Sequence, residues 1–143
     1  MSVEHILAEK GHDVVTISPD RTLADAAHTL SHHRIGAVVI ADGDGTVLGI
    51  LSERDVVRAV ADNGGSALDA PVSSRMTTKV VTCSASTGIE ELMGLMTTGK
   101  FRHLPVVEGG RLNGIISIGD VVKHRLADVE AEHRAMRDYI ATA

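Results

Sequence analysis

Gly49-Ile50-Leu51-Ser52-Glu53-Arg54-Asp55 returns 65 residues later as Gly114-Ile115-Ile116-Ser117-Ile118-Gly119-Asp120. Both copies read glycine, two branched apolar residues, serine, two variable residues and aspartate. An apolar strand running into Ser-x-x-Asp marks a strand-to-helix junction. The serine oxygen accepts a hydrogen bond from a backbone N–H of the first turn, and the acid three residues on reaches back to the serine N–H. The same junction suits an anion and a hydroxyl group, because the first N–H groups of a helix are unpaired and carry partial positive charge. Alone, either copy fits a plain cap as well as a small binding site.

The match continues on both sides of the motif. Val80-Val81-Thr82-Cys83 repeats Val14-Val15-Thr16-Ile17 at an offset of 66, and Ile89, Leu92 and Met96 repeat Leu23, Ala26 and Leu30. Residues 101–107 repeat residues 35–41. The turn Glu108-Gly109-Gly110 is one residue shorter than Asp42-Gly43-Asp44-Gly45, and there the offset falls to 65. Each copy therefore predicts the same series. A β-branched strand comes first, over 14–17 or 80–83. A helix follows, opened in the first copy by Thr22-Leu23-Ala24-Asp25 in capping-box manner. An apolar strand, a hairpin turn and a returning strand come next, and Ser-x-x-Asp starts the closing helix. Shared order, shared offset and a slip only at a turn identify a tandem repeat. Residues 66–74, small and carrying Pro71, read as a connector. Residues 1–11 predict a short amphipathic helix docked on the body. From about 118 to 141 a long helix is expected, with Val122, Leu126, Val129, Met136 and Ile140 on one stripe that covers the domain or a partner subunit.

Composition narrows the function. The 143 residues make one domain by length, 43% hydrophobic and 23% charged, as in ordinary soluble globular chains. A net charge of −5 opposes nucleic-acid binding, which needs a basic face. Phe101 and Tyr139 are the only aromatic residues besides histidine, so a base-stacking platform is excluded and any planar base must lie between aliphatic side chains. The single cysteine, Cys83, allows no internal disulfide and gives no sign of an oxidising compartment. No leader pattern and no apolar run of about 18 residues is present, so no membrane partner is expected and a cytoplasmic location is the default. The eight histidines include His32-His33, but neighbours on a helix point about 100° apart and no ligand spacing occurs, so no metal is expected. Gly43-x-Gly45 lacks the strand-to-helix setting of a dinucleotide fingerprint and belongs to the hairpin. No Ser/His/Asp or Cys/His arrangement stands at a plausible site, so no catalytic residue is assigned and the chain is not expected to be an enzyme.

The paired Gly-h-h-Ser-x-x-Asp segments (h apolar), the Val-x-Thr starts and Arg102-His103-Leu104-Pro105-Val106-Val107 resemble a pair of CBS motifs, the repeat named after cystathionine β-synthase. The resemblance runs from about Gly11 to Arg125. It implies a mixed α/β (α+β) fold of two tandem β-α-β-β-α repeats packed about a pseudo-two-fold axis, with flanking N- and C-terminal helices. Residues 1–143 would form a single CBS-pair domain, with repeat 1 about 11–65 and repeat 2 about 76–125. The family further implies a non-catalytic regulatory or sensor module, joined into a homodimer and acting on an effector protein. Its ligands are adenine nucleotides held between the repeats: AMP or NAD(H) first, with ATP, ADP or S-adenosylmethionine as further members of the class.

Carried onto this chain, Asp55 and Asp120 would accept from ribose hydroxyls, and Ser52, Ser117 and Arg54 would serve the phosphate side. Thr16, Thr82, Gly36, Ala37, Arg102, His103 and Pro105 would line base and phosphate. By the family's pattern each cleft mixes repeats: Thr16 and Ala37 with Ser117 and Asp120, and Thr82 and His103 with Ser52 and Asp55. The copies are unequal, since Glu53-Arg54 in the first stands where the second has Ile118-Gly119, without a charge to help a phosphate. The alternative is a ligand-free structural or oligomerisation module in which both Ser-x-x-Asp segments are helix caps only.

Overall fold

The computed structural model describes residues 2–142. The first half contains α1 (Val3–Lys10), β1 (Thr16–Ile17), α2 (Leu23–His33), β2 (Ala37–Ala41), β3 (Val47–Ser52) and α3 (Glu53–Asn63). Two 3₁₀ turns, Gly64–Asp69 and Val72–Ser74, lead into α4 (Ile89–Gly99), β4 (His103–Glu108), β5 (Arg111–Ser117) and α5 (Ile118–Thr142). The result is a mixed α/β fold with two small sheets. β2 lies between β1, to which it is parallel, and β3, to which it is antiparallel. β4 and β5 form an antiparallel pair.

The second half lacks the full first strand that its sequence predicts. Instead of a strand over 80–83 there is one parallel bridge, Cys83 to Val106. The cause is Pro105. In the first half the Val39 N–H donates to the Val15 carbonyl at 3.4 Å. The residue in the matching place is Pro105, which has no N–H, so the Val81 carbonyl finds no such donor. What survives is the pair of bonds around Cys83: its N–H donates to the Pro105 carbonyl at 3.0 Å, and its carbonyl accepts from Val107 at 2.9 Å. β1 is itself trimmed, to Thr16–Ile17.

Each half has its own core, and each core is completed by a segment that precedes the other half. Leu23, Leu30, Val38, Ile40 and Leu51 pack with Ala67 and Val72 of the connector. Leu92, Met96, Leu104, Val106 and Ile116 pack with Val3, Ile6 and Leu7 of α1. The backbone repeats the exchange: Val3 donates to the Thr87 carbonyl at 2.9 Å, and Val72 to the Arg21 carbonyl at 2.7 Å. The connector is therefore part of a core, which its composition does not reveal.

This exchange explains the glycine of the repeated motif. A Cβ on Gly49 would stand 2.6 Å from Met76 Sδ and 2.9 Å from the Thr77 carbonyl oxygen. One on Gly114 would stand 2.7 Å from Leu7 Cδ2. Both glycines clear a path for the crossing segment. Ile50 and Thr77 then exchange two backbone hydrogen bonds, at 3.0 and 2.9 Å, and Leu112 donates to the Gly45 carbonyl at 3.0 Å. These bonds bring β3 and its helix start against the beginning of the second half. Among the described residues no helix is long and apolar enough to cross a membrane.

Candidate functional site

Both Ser-x-x-Asp segments are helix caps. Ser52 Oγ accepts from the Asp55 N–H at 3.3 Å, while Asp55 Oδ2 accepts from the Ser52 N–H at 2.8 Å and from its hydroxyl at 3.1 Å. Ser117 Oγ accepts from the Asp120 N–H at 3.1 Å, and Asp120 Oδ2 accepts from the Ser117 N–H at 2.9 Å. The same box, made by Thr22 and Asp25, opens α2. Capping occupies one carboxylate oxygen of Asp55. Among the described residues its second oxygen, Oδ1, has no hydrogen-bond partner, so the cap fixes the acid and leaves an acceptor unused.

Asp55 lines a cleft of about 280 Å³ between the halves. Gly36, Ala37, Ser52, Arg54 and Asp55 line it from the first half, and Arg102 and His103 from the second. Ala37 and Ser52 are register partners in β2 and β3, which puts the strand start beside the helix start. Ile50, Val80, Val81 and Phe101 supply apolar wall. Around the rim Arg54, Arg58, Lys79, Lys100 and Arg102 face only two acids, Glu53 and Asp55. In a chain of net charge −5 this local excess of cations focuses positive potential on one opening.

His103 begins β4 opposite Ser117 and reaches across toward Gly36, where an added Cβ would meet its Cε1 at 3.3 Å. Burial pushes its imidazole pKa below the usual value and Lys10 and Arg102 push the same way, against the opposing pull of Asp120 and Glu53. The neutral ring is favoured, so His103 enters the cleft as a hydrogen-bonding group.

The second motif has a different setting. Lys10, the last residue of α1, donates to Asp120 Oδ2 at 2.6 Å and to the Ile115 carbonyl at 2.8 Å. Burial raises the Asp120 carboxyl, but the Lys10 hydrogen bond and charge together with the Ser117 bonds outweigh it and leave the pKa below the ordinary value. Ser117 and Asp120 are not among the residues that line the cleft, nor are Thr16 and Thr82, both exposed, or Pro105, buried in β4 opposite Ile115. Ala37, assigned by resemblance to the Asp120 side, lines the Asp55 cleft.

Sequence reasoning passed over Lys10, Arg58, Lys79 and Lys100. Arg58 was within reach, one helical turn beyond Arg54. Lys10 was not, because its partner is 110 residues away. Among the described residues no group of three or more His, Cys, Asp or Glu is placed to hold a metal ion. His32 and His33 meet edge to face, with centroids 5.1 Å apart.

Comparison with known proteins gives a consistent family. The CBS domain model matches residues 3–62 and 72–127. A CBS domain-containing protein of Bacillus subtilis is 30% identical over 118 residues, covering 82% of this chain and 83% of that protein. Two other curated relatives are longer, and the chain spans 66% and 61% of their lengths. Among solved structures, a CBS-domain containing protein of Agrobacterium tumefaciens is 54% identical with a TM-score of 0.85, covering 87% of this chain and 99% of that one. A CBS domain protein of Pyrobaculum aerophilum complexed with AMP is 26% identical with a TM-score of 0.75, covering 84% and 89%.

Proposed function

The chain belongs to the CBS domain family, and from that premise we propose that it is a non-catalytic regulatory module binding one adenine nucleotide per chain in the cleft between its halves. The observation that carries this reading is that Asp55, whose cap uses only one carboxylate oxygen, lines the same cavity as five cationic side chains and an aliphatic wall. A carboxylate held by its own cap can accept from a ribose hydroxyl, as acids do in dinucleotide folds. The N-terminus of α3, with Arg54, Arg58 and Lys79 nearby, suits the phosphate. Ile50, Val80 and Val81 offer the purine the aliphatic faces that a chain poor in aromatic residues requires. Arg102, His103, Gly36 and Ala37 complete the floor.

AMP is the ligand we favour. A cavity of about 280 Å³ lies near the small end of ligand pockets, and the Pyrobaculum relative was solved with AMP. NAD(H), ADP, ATP and S-adenosylmethionine are the other members of the class to test. Thr16, Ser117 and Asp120 would belong to a second site, where Lys10 already hydrogen-bonds Asp120. The whole of residues 1–143 would act as one unit, a cytoplasmic homodimer passing the occupancy of its cleft to an effector protein. Binding would favour one arrangement of repeats or tail helices over another, by no more than its differential affinity for the two.

A second reading also has an observation behind it. Both motifs are satisfied caps, so a ligand-free structural module needs no further partner for them. Native mass spectrometry of the freshly purified protein separates the two. A co-purifying adenine nucleotide, lost on Asp55→Asn, supports the sensor reading. An Asp55→Asn protein that retains such a ligand in full would remove Asp55 from the site.

A further inference from the structure

The one long helix among the described residues outruns its own domain. α5 has 25 residues, about 37 Å of helix, yet its only fully buried side chain is Val121, near the start. Every described residue from 129 to 142 is exposed. A stretch of that length is marginal as an isolated helix in water and is stabilised by a partner face.

The pattern of exposed residues says what kind of face. Val122, Leu126, Val129, Met136 and Ile140 are between 47% and 67% exposed. With His133 in the one gap, their spacing runs four, three, four, three, four. This is the alternation of a coiled-coil seam, with Leu126, His133 and Ile140 at a and Val122, Val129 and Met136 at d. Val122 follows Val121 directly, so the seam turns about 100° away from the side that packs on the domain.

The flanking charges select the partner and its direction. Arg125 and Glu132 take the g positions, and Glu130 and Arg137 the following e positions. In a parallel pair each g residue meets the e residue five places on in the other helix. Arg125 then faces Glu130, and Glu132 faces Arg137, opposite charges both times. An antiparallel pair would set Glu130 against Glu130 and Lys123 against Arg137. Self-complementary charge on both flanks, with apolar residues between, fits another copy of the same helix.

We propose that α5 pairs in parallel with α5 of a second copy of this chain, through the seam from Val122 to Ile140, whether or not the cleft takes a nucleotide. His133, the one polar side chain in the seam, would fix its register.

Disulfide trapping in the full-length protein tests this. Cys83 is buried, so an introduced thiol is the reactive one. Ile140→Cys is expected to give a covalent dimer under mild oxidation at least tenfold faster than Asp138→Cys, which sits on the outer face at the same level. Arg137→Glu in the Ile140→Cys protein should slow trapping at least tenfold by opposing Glu132, and adding Glu132→Arg should restore it. The proposal is overturned if Ile140→Cys traps no faster than Asp138→Cys, as an antiparallel pair with the two thiols about 25 Å apart or a free tail requires. It is also overturned if the charge exchange restores nothing, or if the trapped species contains four chains.

Discussion

At the scale of single residues, the chemistry rests on groups whose ordinary behaviour has been altered by neighbours. His103 is held below its usual pKa by burial first, then by Lys10. A histidine with a lowered folded pKa adds its full stability above the unfolded value, about 6.5, and loses it as pH falls through the folded value. Thermal midpoints are therefore expected to be level just above pH 7 and to decline below about 6.5, with part of that decline absent in His103→Gln. An unchanged profile in the variant would mean that His103 does not titrate in this way. Cys83 behaves oppositely. Burial, with Glu108 and Glu91 adding to it, pushes the thiol up to about 11, so at pH 8 it stays protonated and should react with iodoacetamide far more slowly in the folded than in the urea-unfolded protein.

The motif glycines give a third expectation at this scale. Gly49→Ala drives a methyl group into both Met76 and the Thr77 backbone, whereas Gly114→Ala meets only the Leu7 side chain and no backbone atom. Overpacking of this kind costs about 1–3 kcal/mol. Gly49→Ala should sit at the upper end and Gly114→Ala at or below the lower end, read as midpoints in urea. The reverse order would contradict the proposed role of the glycines as passages for the crossing segments.

At the scale of elements, Pro105 decides how alike the halves are. Pro105→Val places an N–H where Val39 has one, and is expected to extend the bridge at Cys83 into a strand reaching Val81. A protected amide at residue 105 in hydrogen exchange would show it; a freely exchanging one would mean that the Val81 segment is held off by something else. Here the sequence was readable in most respects. The paired Ser-x-x-Asp starts, the hairpin at Asp42-Gly43-Asp44-Gly45 and the helical spacing of Leu23, Ala26 and Leu30 each follow from local rules, and the structure has these elements. The shortened strand was legible too, in a proline opposite a ladder position, but the repeat pattern drew attention to what matched and away from what differed. The core role of Ala67 and Val72 was not legible, because small residues around Pro71 look the same in a loose linker as in a packed one.

For the molecule as a whole, the two halves differ more in their surroundings than in their motifs. Each lends the other a crossing segment, but only α1 ends in a lysine that reaches an acid, at Asp120. The first cleft is left lined by cations, with a free acceptor at Asp55. Sequence pairing located the acids and serines; it had no means of foreseeing Lys10, whose effect arises only when the ends of the chain meet. The asymmetry leads to a stoichiometry. Titration calorimetry of AMP into the purified protein is expected to show one site per chain, with affinity falling at least about tenfold, roughly the worth of a hydrogen bond to a charged group, in Asp55→Asn. The same substitution should leave the thermal midpoint nearly unchanged, since an amide still caps α3. The absence of binding heat from AMP, ATP, NAD(H) and S-adenosylmethionine alike, in protein freed of any co-purified ligand, would contradict the account and leave Ser52 and Asp55 as a cap alone.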